Sequence, residues 1–327
     1  MHQMHSFAVY AILLLTARGV LADTDGDYGG VFEKGQFSVQ VLEIHNGPAP
    51  AMAFVPMNSA SDALFPVMFF HHGTRQRNSM YSTLLTQIAS HGFIVVAPQL
   101  QEDLLSFDAT AQINSAATFI TWALKELTLA LKEIAVPDLS AVSLSGHSRG
   151  GKVAFALSIG LSDPPVSDVL QAVIGFDPVD GLSNDPIPPP IVTRCSSSEP
   201  HCLKEELKIA SLLIGSGLGD KPKLQFMPAC APAKLSHCAF FKVVSSPAYH
   251  FTVKEYGHSD FLNDGSLMMD AMCTHNPTSK DPMRQMSAGL SVAFLKEVQG
   301  SPSPLNEILA DWKSLQPAVE EPETYLT

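Results

Sequence analysis

Leu144-Ser145-Gly146-His147-Ser148-Arg149-Gly150-Gly151-Lys152 decides how this chain is read. It contains Gly-x-Ser-x-Gly with Ser148 at the centre. Ala141-Val142-Ser143-Leu144 leads into it as a strand, and Val153-Ala154-Phe155-Ala156-Leu157 leads out of it as a helix. A sharp strand-to-helix turn of this kind lifts a serine hydroxyl above a sheet. Gly146 and Gly150 leave room for the backbone to double back. The five-residue pattern also arises by chance, and the strand and helix around it are what give it weight.

Outward from this turn the chain alternates strands and helices. Phe37, Val39 and Val41 alternate with Ser38 and Gln40, which predicts a strand with one buried face, and residues 51–55 supply its partner. Residues 66–73, Pro-Val-Met-Phe-Phe-His-His-Gly, read as a buried central strand. A helix over 81–90, capped by Asn78 or Ser79, precedes a further buried strand at 93–98. Ile113, Ala117, Ile120, Leu124, Leu127 and Leu131 form an apolar stripe of helical period. Residues 172–176, 212–215 and 249–253 complete the strands, and Leu290, Ala293, Phe294 and Val298 mark a closing helix that stops at Gly300. Strands alternating with helices imply an α/β fold with a mostly parallel sheet covered on both faces.

The 327 residues suffice for one large α/β domain. With 46% hydrophobic and 16% charged residues the chain has ample material for a core. Its net charge of −12 excludes nucleic acid as a partner, because phosphate contacts need clustered Lys and Arg. Residues 1–22 read as a signal or targeting peptide, with an apolar core over 7–15 and small residues near Ala22. Residues 23–300 are expected to form the catalytic domain. Residues 301–327 are expected to form a short docked helix and a frayed acidic tail. Residues 184–203 and 218–235 break the strand–helix rhythm on the side of the sheet where such folds place their sites. Of the five cysteines, Cys195, Cys202, Cys230, Cys238 and Cys273, an odd one stays unpaired within a monomer. Cys230, His237 and Cys238 lie close in sequence, but no second ligand pair has zinc-finger spacing, so no metal site is expected.

A serine becomes a useful nucleophile when a base takes its proton and an acid orients the base. In the α/β-hydrolase fold the order along the chain is Ser, acid, His. Five histidines follow Ser148, and His258, just past the last strand in Tyr256-Gly257-His258, stands where the base belongs. His275 is the runner-up. Asp177 and Asp220 each follow a strand after the turn, and topology does not separate them. Two backbone N–H groups should receive the developing oxyanion. One is expected from Arg149 and the other from Thr74, with Gly73 as the alternative. His71 and His72 point to opposite faces of a strand and so cannot readily share one ion.

These stretches resemble the chlorophyllase family. The resemblance rests on Ser145-Gly146-His147-Ser148-Arg149-Gly150-Gly151-Lys152, Gly175-Phe176-Asp177-Pro178-Val179-Asp180-Gly181, Tyr256-Gly257-His258, and residues 81–100 and 214–219. It implies an α/β-hydrolase fold, a triad of Ser148, Asp177 and His258, and hydrolysis of the phytyl ester of chlorophyll without metal or organic cofactor. It implies chlorophyll or another hydrophobic ester as partner, with peripheral contact at pigment-bearing membranes, and leaves the oligomeric state open. Thr74-Arg75-Gln76-Arg77 and residues 183–206 depart from the family pattern. A general lipase or acyl esterase on the same scaffold is therefore the alternative activity. A pigment- or lipid-binding protein without catalysis is a further one, against which the intact Ser, Asp and His set argues. The leader implies routing through the ER, with a plastid as the final site and secretion or the vacuole as alternatives.

Overall fold

The computed structural model describes residues 28, 30–57, 63–100, 108–131, 134–182, 185–193 and 207–326. The leader expected at 1–22 lies outside the described residues. Among the described residues nine strands form one sheet: β1 (Ser38–Ile44), β2 (Ala51–Met57), β3 (Leu64–His71), β4 (Ile94–Pro98), β5 (Val136–His147), β6 (Leu170–Phe176), β9 (Ala210–Ser216), β10 (Ala248–Val253) and β11 (Glu323–Tyr325). Two short strands, β7 (Gly181–Leu182) and β8 (Asp185–Pro186), pair apart from it. The sheet order is β1-β2-β4-β3-β5-β6-β9-β10-β11. Its middle, from β4 to β10, is parallel, and antiparallel pairs close both edges.

The apolar runs of the middle strands follow from burial on both faces. In β3, Phe65, Val67 and Phe69 face one layer while Met68 and Phe70 face the other. The first layer carries α2 (Thr110–Ala130), α3 (Arg149–Ser158) and α4 (His237–Val243). The second carries α1 (Ser82–Ser90) and α6 (Asp281–Val298). The short helices α5 (Leu267–Met272) and α7 (Leu305–Ala310) follow β10 and α6. The stripe of α2 is buried as expected, Leu124 only partly. The parallel strands all end on one rim, and the loops leaving β3, β5, β6, β9 and β10 meet there.

Three expectations are corrected. Val41 is exposed, because β1 is an edge strand with a single neighbour. Asn78 does not cap α1. Residues Asn78–Tyr81 form a 3-10 turn, and the Asn78 side chain donates to the Ala97 carbonyl at 2.8 Å. The tail is not frayed: after α7, Val319 is buried against Val253 and β11 pairs with β10. The sheet therefore draws on residues beyond 300.

Candidate active site

Ser148 sits between β5 and α3 with φ 57° and ψ −125°, a conformation that L-residues rarely adopt. The glycines around it have a steric reason. A Cβ at Gly146 would stand 2.2 Å from the Gly150 carbonyl oxygen, and one at Gly150 would stand 2.0 Å from the His71 carbonyl oxygen. The turn is held from the next strand by Ser148 N–H donating to the Phe176 carbonyl at 3.1 Å.

His258 opens a 3-10 turn after β10 and is buried. Its Nε2 lies 2.9 Å from Ser148 Oγ, and its Nδ1 lies 2.8 Å from Asp177 Oδ2. Asp177 follows β6 with φ 43°, and its N–H donates to the Ile214 carbonyl at 2.7 Å. Ser216, at the end of β9, donates its hydroxyl to the same Oδ2. Burial by itself would raise the Asp177 pKa. The hydrogen bond and charge of His258, the charge of His237 and the Ser216 hydroxyl outweigh it and hold the carboxyl below its usual range.

The other candidates fall elsewhere. Asp220 is on the surface beside Lys221 at 3.2 Å, and His275 lies against Lys223 Nζ. Asp180 is buried and pairs with Lys152 Nζ at 2.7 Å, while its Oδ2 accepts the N–H groups of Ile191 and Val192 at 2.9 Å. Asp260 accepts the Gly257 N–H at 2.7 Å and shapes the turn that carries His258. Arg149 opens α3, where first-turn N–H groups point out of the helix end. Gly73 lies against Ser148, since a Cβ there would stand 3.1 Å from Ser148 Cβ. Its N–H donates to Tyr81 Oη at 3.1 Å, and Thr74 is exposed on the same loop.

Several neighbours escaped the sequence reading. His147, inside the quoted motif, is fully buried; its Nε2 lies 2.9 Å from the His258 carbonyl, and its Nδ1 lies 2.8 Å from Tyr81 Oη. Burial carries its pKa well below 6.5, so the ring is neutral and donates Nε2–H to that carbonyl. Its ring centroid lies 4.5 Å from that of His258, with the planes tilted by 35°. His237, at the start of α4, faces the far oxygen of Asp177, with Nε2 3.7 Å from Oδ1. The sequence presents His147 only as part of the Gly-His-Ser motif and His237 only in the grouping with Cys230 and Cys238, and neither pattern points to the His258 carbonyl or to Asp177.

Among the described residues Cys230 and Cys273 form a disulfide that clips the 218–235 segment to the end of α5. Cys238 is a free thiol. Cys195 and Cys202 lie outside the described residues. The clipped segments carry exposed apolar side chains, including Phe226 at 94% and Leu267 at 79% exposure, with Leu224, Met268 and Met272. Ser259, beside His258, donates to Asp270 of α5 at 2.9 Å, so this apolar ground adjoins the site. A cavity of about 590 Å³ lined by Pro66, Asp138, Gln171 and Lys208 lies at the opposite rim of the sheet, by the start of β5, and is unrelated to Ser148.

Known proteins match over most of the chain. A family model described as chlorophyllase matches residues 27–326. Chlorophyllase-1 of Arabidopsis thaliana is 36% identical over 276 residues, covering 80% of this chain and 81% of that one. Chlorophyllase-2 of the same plant is 35% identical over 254 residues, covering 76% and 78%. Chlorophyllase-1, chloroplastic, of Citrus unshiu is 34% identical over 293 residues, covering 86% and 84%. With an α/β-hydrolase sheet, a serine turn beside a buried His and Asp, and relatives of this identity along nearly the whole chain, the protein belongs to the chlorophyllase family.

Proposed function

We propose that the protein hydrolyses the ester joining phytol to the propionate side chain of chlorophyll, through Ser148, His258 and Asp177. The observation that carries this reading is the pair of contacts of His258, 2.9 Å to Ser148 Oγ and 2.8 Å to Asp177 Oδ2. Asp177 accepts His258 Nδ1–H, which leaves Nε2 free to accept the Ser148 proton. Ser148 Oγ attacks the ester carbonyl carbon, and the carbonyl π electrons move onto oxygen. The backbone N–H groups of Arg149 and Thr74 receive that charge. The tetrahedral adduct collapses, the C–O bond to phytol breaks, and His258 gives the departing oxygen its proton. Water then attacks the acyl-enzyme, again losing a proton to His258, and chlorophyllide leaves with Ser148 restored. The chemistry draws on no metal or organic cofactor.

The apolar ground beside His258 supports a hydrophobic substrate taken from a pigment-bearing membrane. The chloroplastic Citrus relative supports a plastid as the final site. The test is incubation with chlorophyll in detergent, following chlorophyllide by chromatography, beside a short soluble acyl ester. Chlorophyllide should form with the wild type and with Asp220→Asn, and should fall to background with Ser148→Ala. Turnover of the short ester without chlorophyllide would overturn the substrate and favour a general acyl esterase. Equal turnover by Ser148→Ala would overturn the mechanism.

A further inference from the structure

We propose that His237, Cys238 and His250 bind one borderline-soft divalent cation of the zinc type, directly behind Asp177. The sequence grouping of Cys230 with His237 and Cys238 does not survive folding, since Cys230 is held by Cys273. The fold replaces it with His250 from β10. The three ligand atoms lie within 4.8 Å of one another. His237 Nδ1 is 2.7 Å from His250 Nε2 and 3.5 Å from Cys238 Sγ. A tetrahedral zinc holds nitrogen at about 2.0–2.1 Å and thiolate at about 2.3 Å, which spaces its ligands roughly 3.3–3.6 Å apart. The spacing of the sulfur from His237 already suits this, and the two nitrogens need to part by about 0.6 Å or a little more.

Two independent observations point to a cation. The first is what surrounds the rings. A metal-bound imidazole characteristically gives its other N–H to a carboxylate. His250 Nδ1 lies 2.7 Å from Glu323 Oε2, and His237 Nε2 faces Asp177 Oδ1 at 3.7 Å. Both histidines thus turn one nitrogen toward the shared centre and the other toward an acid. Gly215 is needed for this, because a Cβ there would stand 2.1 Å from His237 Nδ1. Phe241 stacks on His250 and fixes its plane.

The second observation is a missing donor. With Nδ1–H given to Glu323, neutral His250 offers Nε2 only as an acceptor, so His237 must donate Nδ1–H to it. His237 Nε2 then carries no proton and meets Asp177 Oδ1 acceptor to acceptor. Asp177 Oδ1 is in fact a buried oxygen with no hydrogen-bond partner. A cation between the rings resolves this. It takes the lone pair of His237 Nδ1, and the proton moves to Nε2, which faces Asp177 Oδ1 across 3.7 Å and so turns a donor toward that oxygen. Cys238 gives its thiol proton to solvent and ligates as thiolate. Cys238 is partly exposed, so water can fill the fourth position. The site stands whatever the enzyme hydrolyses. Only its effect on rate rests on Asp177 serving as the acid: a cation that draws Asp177 charge toward His237 leaves less to stabilise protonated His258, and hydrolysis slows.

The test is equilibrium dialysis of untagged, metal-stripped protein against zinc without thiol reductant, followed by absorption spectra with cobalt(II) in its place. One cation per chain and a thiolate-to-cobalt charge-transfer band are expected. The band should vanish in Cys238→Ser, and Glu323→Gln, a surface change, should weaken affinity about 10- to 100-fold. Zinc should slow ester hydrolysis several-fold over the concentration range in which it binds, and that range should move with Glu323→Gln. No binding, or a band retained in Cys238→Ser, or unchanged affinity in Glu323→Gln would overturn the site. Stoichiometric binding at full hydrolytic rate would overturn the coupling to Asp177. A wild type that binds zinc but hydrolyses no ester would fail the proposed function and leave the site intact.

Discussion

Asp177 and Asp220 looked alike in sequence because each follows a strand on the same rim, and spacing alone carries no depth. Burial separates them: one is fully enclosed and held by His258 and Ser216, the other lies at the surface with Lys221. Ser148 and His258 were legible because a motif and a chain-order rule name them. His147 and Ser216 were not, since their roles are contacts across 111 and 39 residues that local pattern cannot encode. His71 is a residue-scale oddity of another sort. It is buried in β3 with neither ring nitrogen bonded, and desolvation, helped by His72, takes its pKa down to about 3. The unfolded chain binds this proton below about pH 6.5 while the native state refuses it until about pH 3. Stability from this group is therefore full above pH 6.5 and declines as pH falls, by up to about 1.4 kcal/mol per pH unit. His71→Leu should flatten the stability curve by that slope between pH 6 and 4, measured by urea unfolding at each pH.

At the scale of elements, the Lys152–Asp180 pair explains why the Pro-rich segment after β8 packs at all. Lys152 Nζ also donates to the carbonyls of Asp180 and Ile187, and Asp180 Oδ2 takes two backbone N–H groups at 191 and 192. One fully buried ion pair thus anchors α3 to the 185–193 segment. Asp180→Ala would leave Lys152 in the interior with carbonyl partners but no counter-charge. Such a change costs about 3–5 kcal/mol, to be read from the shift in denaturant midpoint, and Lys152→Met together with Asp180→Leu should recover most of it. The clipped 218–235 segment and α5 form a second element-scale device. If the apolar side chains there meet a membrane, each contributes about 1.5–3 kcal/mol on burial. Phe226→Asp with Leu267→Asp should lower turnover of chlorophyll in vesicles at least about tenfold while sparing a soluble short ester, whose rate is the control. Strong, long elements such as β3 and α2 were plain in sequence. β11 was not, because Glu323–Tyr325 is three residues beside Pro322 and no period can emerge over that length.

For the whole molecule, strand order is the part that sequence withholds. Alternation announced a parallel sheet, but nothing local says that β4 lies between β2 and β3, or that the last strand turns back antiparallel onto the outer edge of β10. That edge pairing has a colloidal consequence. A sheet edge is a row of unpaired N–H and C=O groups ready to template another chain. β10 is buried throughout, and β11 is the short strip, carrying Glu323, that caps it. A chain ending at Ala318 would bare that row, and two copies could zip together along it. Such a truncation should convert a size-stable preparation into one whose scattering grows with concentration, as light scattering over a dilution series would reveal. Unchanged scattering would mean that β10 needs no guard. An affinity tag fused after Thr327 begins two residues past the capping strip, so its placement bears on solubility before it bears on purification.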